Sequence, residues 1–301
     1  MSEHVTLALV DAANQFQQLL RSEAEVAARR EGLNLDTVFS GDNFTDQVAL
    51  LRGLVSDPAH RPDAMLVMSV RDRGLDRVVR EAAAADVPWI FLNAIEDDLN
   101  ALRREKPSAV IATVCPDEVE TGRVQGRQLK ALVPSGRRVL YVQGNPRSLT
   151  SRQRTAGMQE AVAGAGLDVV LAGGDWSPEH AGRSVREWLR FATGGRRPFE
   201  LVACQNDHMA EGVLDALSAA AADLRLPELA RIPVTGCDGT PAKGQKMVQQ
   251  GRLLATVVLP RVAATAIDVV SRLLARGEKP APLLMHAATS LPPVSELRRI
   301  V

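Results

Sequence analysis

Carboxylates, amides and guanidinium groups are what a polyhydroxylated small molecule needs from a protein, and this sequence places a set of them after short apolar runs. They are Asn14, Phe16 and Gln17, then Ser69 and Arg71, then Asn93. Further on come Cys115 with Asp117, Arg152, Trp176, Asn206 with Asp207, and Cys237 with Asp238. Carboxylates accept from hydroxyls, Arg and amides donate to them, and an aromatic face covers C–H surface. Only 3% of the residues are aromatic, which makes Phe16 and Trp176 noteworthy at such places. The candidate ligand-binding set is Asn14, Phe16, Gln17, Ser69, Arg71, Asn93, Arg152, Trp176, Asn206 and Asp238.

Plainer roles compete for several of these positions. Asp207 and Thr240 each directly precede a helical stretch and read as caps. Pro241 at the first helical position favours that role for Thr240. Arg152 and Arg154 flank a helix start and read equally well as solvated charges. Trp176 reads also as a packing residue, while Trp89 and Trp188, inside a strand and a helix, belong to the core.

The elements that position these residues alternate almost from end to end. Strands are expected at 5–10, 34–39, 64–68, 88–92, 109–114, 138–142, 168–172, 200–204, 232–236 and 254–258. Helices are expected near 16–31, 44–56, 73–85, 117–132, 150–165, 179–192, 207–222, 241–250 and 261–276. Near-continuous apolar strands such as Val139-Leu140-Tyr141-Val142 suit a sheet covered by helices on both faces. The alternation implies parallel, doubly wound α/β structure, in which ligands sit beyond the carboxyl ends of the strands near helix N-termini. Ten strands in 301 residues divide more simply into two sheets than one. The segments opening at Val5 and Arg138 begin alike, a strand followed by an Asn-containing turn and a helix, which hints at two similar lobes. The tail, with Pro280, Pro282, Pro292 and Pro293, reads as extended crossing segments and an ordered end.

Composition narrows the function. Lys plus Arg equals Asp plus Glu at 36 each, so the net charge is zero, against a nucleic-acid binder that must neutralise phosphates. No apolar run is long enough to span a bilayer. Met1 to His4 lead straight into the first strand without a secretory leader, so the expectation is a cytoplasmic chain, or a periplasmic one if a leader was removed. Cys115, Cys204 and Cys237 are odd in number and far apart, which does not make a disulfide framework. With His208 near one of them a soft metal site is conceivable, but no C-x-x-C or C-x-x-H spacing supports it, and no metal is expected. No G-x-G-x-x-G follows the first strand and no G-x-S-x-G occurs; in Gly239 to Lys246, Gln245 stands where a phosphate loop needs lysine. No catalytic residue and no cofactor is therefore expected.

Five segments in order resemble the type I periplasmic solute-binding proteins, notably the ribose and sugar binders. Gln205-Asn206-Asp207-His208-Met209-Ala210 resembles their QND-x-MA segment, and Gly236-Cys237-Asp238-Gly239-Thr240-Pro241 their G-x-DG-TP turn. The run Ser151-Arg152-Gln153-Arg154-Thr155-Ala156-Gly157-Met158 is similar to their R-x-R-x-x-GF helix start. Asn14-Gln15-Phe16 is similar to the N-P-F loop, and Pro116-Asp117-Glu118-Val119-Glu120-Thr121-Gly122 to the D-N-x-x-x-G crossover. The resemblance implies two Rossmann-like lobes, residues 1–115 plus 261–288 and 116–260 plus 289–301, joined by three hinge segments with a ligand cleft between. By position it assigns Asn14 and Phe16 to ligand from the first lobe, and Arg152, Trp176, Asn206 and Asp238 from the second. Several positions depart from the sugar binders' pattern. Asn93-Ala94 stands for Asp-Arg, Cys237 for an aromatic, Leu259 for a Gln and Met68 for an Asn. Those losses argue against ribose and for a less hydroxylated or differently charged ligand.

The function so implied is non-catalytic binding of a small polar solute, a sugar or sugar-like polyol, with hinge closure read by an ABC permease or a sensor kinase. The alternative is the effector domain of a transcription regulator. Lactose-repressor-type regulators resemble this fold but carry a helix-turn-helix headpiece ahead of the first strand. An enzyme on a similar fold is the third reading. Direct nucleic-acid binding and membrane insertion are not expected.

Overall fold

The computed structural model describes residues 2–93, 99–190 and 198–300. The chain runs through β1 (His4–Leu9), α1 (Gln15–Glu31), β2 (Asn34–Phe39), α2 (Phe44–Ser56), β3 (Ala64–Val67), α3 (Asp76–Ala84), β4 (Trp89–Leu92), α4 (Leu99–Glu105) and β5 (Ile111–Pro116). It continues with α5 (Glu118–Leu132), β6 (Arg138–Val142), α6 (Leu149–Val162), β7 (Asp168–Ala172), α7 (Pro178–Leu189), β8 (Leu201–Cys204), α8 (Asp207–Asp223) and β9 (Val234–Thr235). A π-helical turn (Pro241–Gln245) then leads into α9 (Lys246–Gln249), β10 (Thr256–Val258), α10 (Val262–Arg276), β11 (Leu283–His286) and β12 (Thr289–Leu291).

Two compact units divide the chain: Met1–Pro116 with Arg261–His286, and Asp117–Pro260 with Ala287–Val301. Unit 1 holds a six-stranded parallel sheet in the order β11-β5-β4-β3-β1-β2. Strand alternation sends Val5, Leu7 and Leu9 toward α1 and α10, where Ala24, Ala263 and Ile267 pack. Ala8, Met65, Val67, Trp89 and Phe91 face the other way, onto Leu51, Val78 and Val79 of α2 and α3. Unit 2 holds a four-stranded parallel sheet, β7-β6-β8-β9, and the antiparallel pair β10-β12. Leu140, Val142, Val202 and Cys204 pack under α7 and α8, while Val139, Tyr141, Leu201 and Ala203 pack against Leu129 and Met158 of α5 and α6. Both sheets are thus covered on both faces, as near-continuous apolar strands require. β1 lies between β2 and β3 as β6 lies between β7 and β8, so the two similar openings occupy like places.

Several elements differ from the sequence reading. β11 and β12 are true strands within the proline-bearing tail; their prolines lie outside the paired residues, which frees the backbone to pair. The seven-residue α4 carries too little periodic pattern to announce itself. β5 runs two residues further than expected, so Cys115 is a buried strand residue and not a loop residue. Ala94 of the Asn93-Ala94 pair, and residues 191–192 at the end of the helix expected at 179–192, lie outside the described residues. Among the described residues, no helix is long and apolar enough to cross a membrane.

Candidate functional site

Unit 2 builds its candidate site beyond the carboxyl ends of β6, β7, β8 and β9, around one buried guanidinium. Arg154 is 3% exposed. Its Nε donates to Glu118 Oε2 at 2.6 Å, its Nη2 to Glu118 Oε1 at 3.1 Å, and its Nη1 to the Gln205 carbonyl at 2.6 Å. The same Nη1 stands 3.6 Å from Asp238 Oδ1, and the guanidinium carbon lies 5.8 Å from the Trp176 ring centroid. A bidentate pair of this kind fixes a side chain in plane as well as in place.

Gln205 ties the loops together beneath it. Its Oε1 accepts from Gly144 N at 2.9 Å, and its Nε2 donates to the Ser151 carbonyl and Thr155 Oγ1, each at 3.0 Å. The Tyr141 hydroxyl donates to Gln125 Oε1 at 2.6 Å and accepts from Gln205 Nε2 at 3.2 Å. Trp176 holds a left-handed backbone, φ 74°. Its ring lies so close over Gly144 that a Cβ there would meet it at 2.3 Å. Glycine at 144 is what lets the indole settle.

Asn206 caps α8, its Oδ1 accepting from Met209 N at 2.7 Å while Nδ2 donates to the Trp176 carbonyl at 3.1 Å. Asp207, read from sequence as a cap, is not one. Buried, it accepts from Gly239 N at 2.8 Å and Thr256 Oγ1 at 2.7 Å, pinning the turn that carries Asp238. Thr240 stands at the cap position of the π-helical turn, yet its buried hydroxyl makes no hydrogen bond, so the expected side-chain cap is absent. Its carbonyl takes over, accepting from Lys243 N and Gln245 N at 3.2 and 3.1 Å.

Charge burial sets the protonation of this ensemble. Burial raises the Glu118 carboxyl, offset in part by Arg154. Burial, then the charge of Asp238, pushes Asp207 well up. Asp238 is raised to about 7, burial outweighing the attraction of Arg154. Burial alone would lower Arg154, but the carboxylates of Glu118 and Asp238 reverse that and hold it charged. The Cys204 and Cys237 thiols are pushed up by burial, and Cys115, Cys204 and Cys237 are all buried. Among the described residues no group of three or more His, Cys, Asp and Glu could hold a metal ion.

The expected residues fare unevenly. Trp176 and Asp238 stand beside Arg154, and Asn206 joins them through the Trp176 carbonyl. Arg152 lies exposed and turns back to donate to the Arg147 carbonyl. Arg154, read as an equally good candidate for a solvated charge, is the buried one. Helical period marks this: Ser151, Arg154, Thr155 and Met158 share the buried face of α6, and Arg152 falls off it. Glu118 was not anticipated either, yet it heads the buried stripe Glu118, Thr121, Gly122, Gln125 and Leu129 of α5.

In unit 1, the expected residues also stand at strand carboxyl ends, but are engaged locally. Asn14 caps α1, its Oδ1 accepting from Phe16 N and Gln17 N at 3.0 and 3.2 Å. Phe16 is half-buried against the core. Gln17 is buried, its Oε1 accepting from Val10 N and Asp11 N at 2.7 and 2.9 Å. Ser69 Oγ donates to the Arg71 carbonyl at 2.6 Å, and the exposed Arg71 stacks its guanidinium 4.8 Å from the Phe44 ring centroid. Asn93 adopts a left-handed backbone, φ 69°, with its Oδ1 buried and unpartnered.

The family model described as a periplasmic binding protein domain matches residues 5–279. The ribose import binding protein of Salmonella typhimurium is 29% identical over 279 residues, covering 91% of this chain and 86% of that protein. Among solved structures, a periplasmic solute-binding protein of an ABC transporter from Actinobacillus succinogenes, with bound D-allose, has a TM-score of 0.82 at 20% identity. It covers 96% of this chain and 97% of its own. A fructose-binding periplasmic domain of a hybrid two-component system has a TM-score of 0.75 at 18% identity, covering 96% and 91%.

Proposed function

This chain belongs to the periplasmic binding protein family, and from that premise we propose that it binds a sugar or sugar-like polyol without changing it chemically. The observation that carries the reading is the ensemble of Arg154, Asp238, Asn206 and Trp176 beyond the carboxyl ends of β6, β7, β8 and β9. A partly exposed carboxylate, an amide and an indole face beside a fixed guanidinium are the groups a polyol asks for. We extend the assignment to Asn14, Phe16, Ser69, Arg71 and Asn93, at the corresponding edge of the unit 1 sheet. Gln17 acts as a brace for that edge, and Arg152 stands at the outer margin of α6.

The partner proposed first is an ABC import system working from the periplasm, because the ribose import binding protein is similar over most of both chains. A sensor kinase is the second reading, favoured by the likeness to a periplasmic domain of a two-component system. Thermal-shift measurements against a panel of sugars and polyols test the binding reading. A ligand present at 100 times its dissociation constant stabilises the folded form by about 2.7 kcal/mol, which reads as a higher Tm. Failure of the whole panel to shift Tm, or wild-type affinity in both Asn206→Ala and Asp238→Ala, would defeat the assignment.

A further inference from the structure

The buried ensemble of unit 2 sets one guanidinium, Arg154, against three carboxylates, Glu118, Asp207 and Asp238. The three are compensated differently. Glu118, 4% exposed, takes the Nε and Nη2 edge of Arg154. Asp207 is held by a backbone N–H and a threonine hydroxyl. Asp238 is left with a 3.6 Å contact to Nη1, a nitrogen that already donates to the Gln205 carbonyl. Lys243 does not repair the deficit, because its ammonium sits on Glu211 at 2.6 Å. Asp238 is also the member of the three that reaches the surface, with 20% of its side chain exposed. Two residues beyond it the Thr240 hydroxyl is buried without a partner, a second polar group awaiting one.

We propose that the ligand carries an ammonium group, so that the site takes an amino sugar or amino-polyol, and that Glu118 sets this preference by occupying the fork of Arg154. The inference rests on the polyol-binding reading above and narrows it. An arginine that served neutral hydroxyls would offer a bidentate edge to them; here the Nε–Nη2 edge is filled by a buried carboxylate of the chain itself, and Nη1 is turned to the Gln205 carbonyl and Asp238. What remains for the ligand is the Asp238 carboxylate in a poorly solvated place. A hydroxyl would donate one hydrogen bond to it and leave its charge standing. An ammonium donates up to three and cancels the charge, which a low-dielectric setting rewards.

The test uses the intact protein and matched pairs by titration calorimetry: D-glucosamine against D-glucose, an aminodeoxyinositol against the parent inositol, and 1-amino-1-deoxy-D-sorbitol against D-sorbitol. At least one amine should bind about tenfold more tightly than its alcohol, the difference between a charge-assisted and a neutral hydrogen bond. Asp238→Asn should shrink that gap to about threefold or less. Glu118→Gln, checked for folding by its melting curve, should shift preference toward the neutral partner by freeing the Arg154 fork. Alcohols that bind as tightly as their amines would overturn this inference while leaving the polyol reading intact. Silence from every pair would overturn both. The wild-type comparison decides the matter even if a variant fails to fold.

Discussion

The carboxyl edges of the two parallel sheets carry similar residue types and use them differently. In unit 1 the polar side chains serve their own loops: Asn14 caps α1, Gln17 braces Val10 and Asp11, and Ser69 bonds the Arg71 carbonyl. In unit 2 they converge on one another across α5, α6, β8 and β9, through Glu118, Arg154, Gln205 and Asp238. Local bonds hold a loop's shape, and losing one disturbs that loop alone. A buried charge network is fixed collectively, so losing a member strands the rest. Unit 2 therefore carries a preorganised charge network at its sheet edge, and unit 1 a set of shaped loops.

The sharpest way to break this comparison is Arg154→Ala. It would leave Glu118 buried without its partner and remove the tie to the Gln205 carbonyl. Breaking a buried pair from one side costs about 3–5 kcal/mol, and urea midpoints should fall accordingly. A loss below about 1 kcal/mol would mean that unit 2 is no more network-bound than unit 1.

The second effect is one of pH. Asp238 titrates near 7 in the folded protein, against about 3.9 for an ordinary aspartate in an unfolded chain. Between those values the folded state holds a proton that the unfolded state has lost, so stability falls as pH rises through the window. Glu118 and Asp207, also raised by burial, lean the same way. Asp238→Asn should flatten part of the decline in urea midpoint between pH 5 and 7.5. Ligand affinity should move oppositely, rising as Asp238 ionises. A wild-type and a variant with identical slopes would remove Asp238 from the account.

In unit 1 the matching change is Gln17→Ala, which takes the acceptor from two backbone N–H groups at once. Leaving them unpaired costs about 1–3 kcal/mol. Hydrogen exchange at Val10 and Asp11 should quicken while amides in β6 and β8 keep their protection. Spread of the effect into β6 and β8 would contradict a local role.

How much of this was legible in the sequence depends on the range of the signal. The parallel α/β architecture and ten strand positions follow from runs such as Val139 to Val142, because periodicity is a local property. Asn206 and Asp238 were legible because each sits in a short motif beside a strand end. Glu118 was not, since its partner Arg154 lies 36 residues away and only the fold brings them together. Asp207 shows the same limit: adjacency to a helix suggested a cap, while its actual partners, Gly239 and Thr256, come from other elements. The exchange of roles between Arg152 and Arg154 was within reach, because Met158 marks the buried face of α6 and lies four residues from Arg154.

That exchange supplies the smallest effect and the cleanest control. Arg152 is exposed, and the bond it makes runs back to the Arg147 carbonyl within its own helix start. Arg152→Ala removes a solvated charge and one local bond, so stability should stay within about 0.5 kcal/mol of wild type. It keeps the Arg154 geometry, so any ligand recognised by Asp238 should bind with wild-type affinity. Measured beside Arg154→Ala, the two substitutions delete the same chemical group two residues apart on one helix. A drop in affinity for Arg152→Ala comparable to that for Arg154→Ala would place the recognition surface along the outer margin of α6 and not around the buried guanidinium.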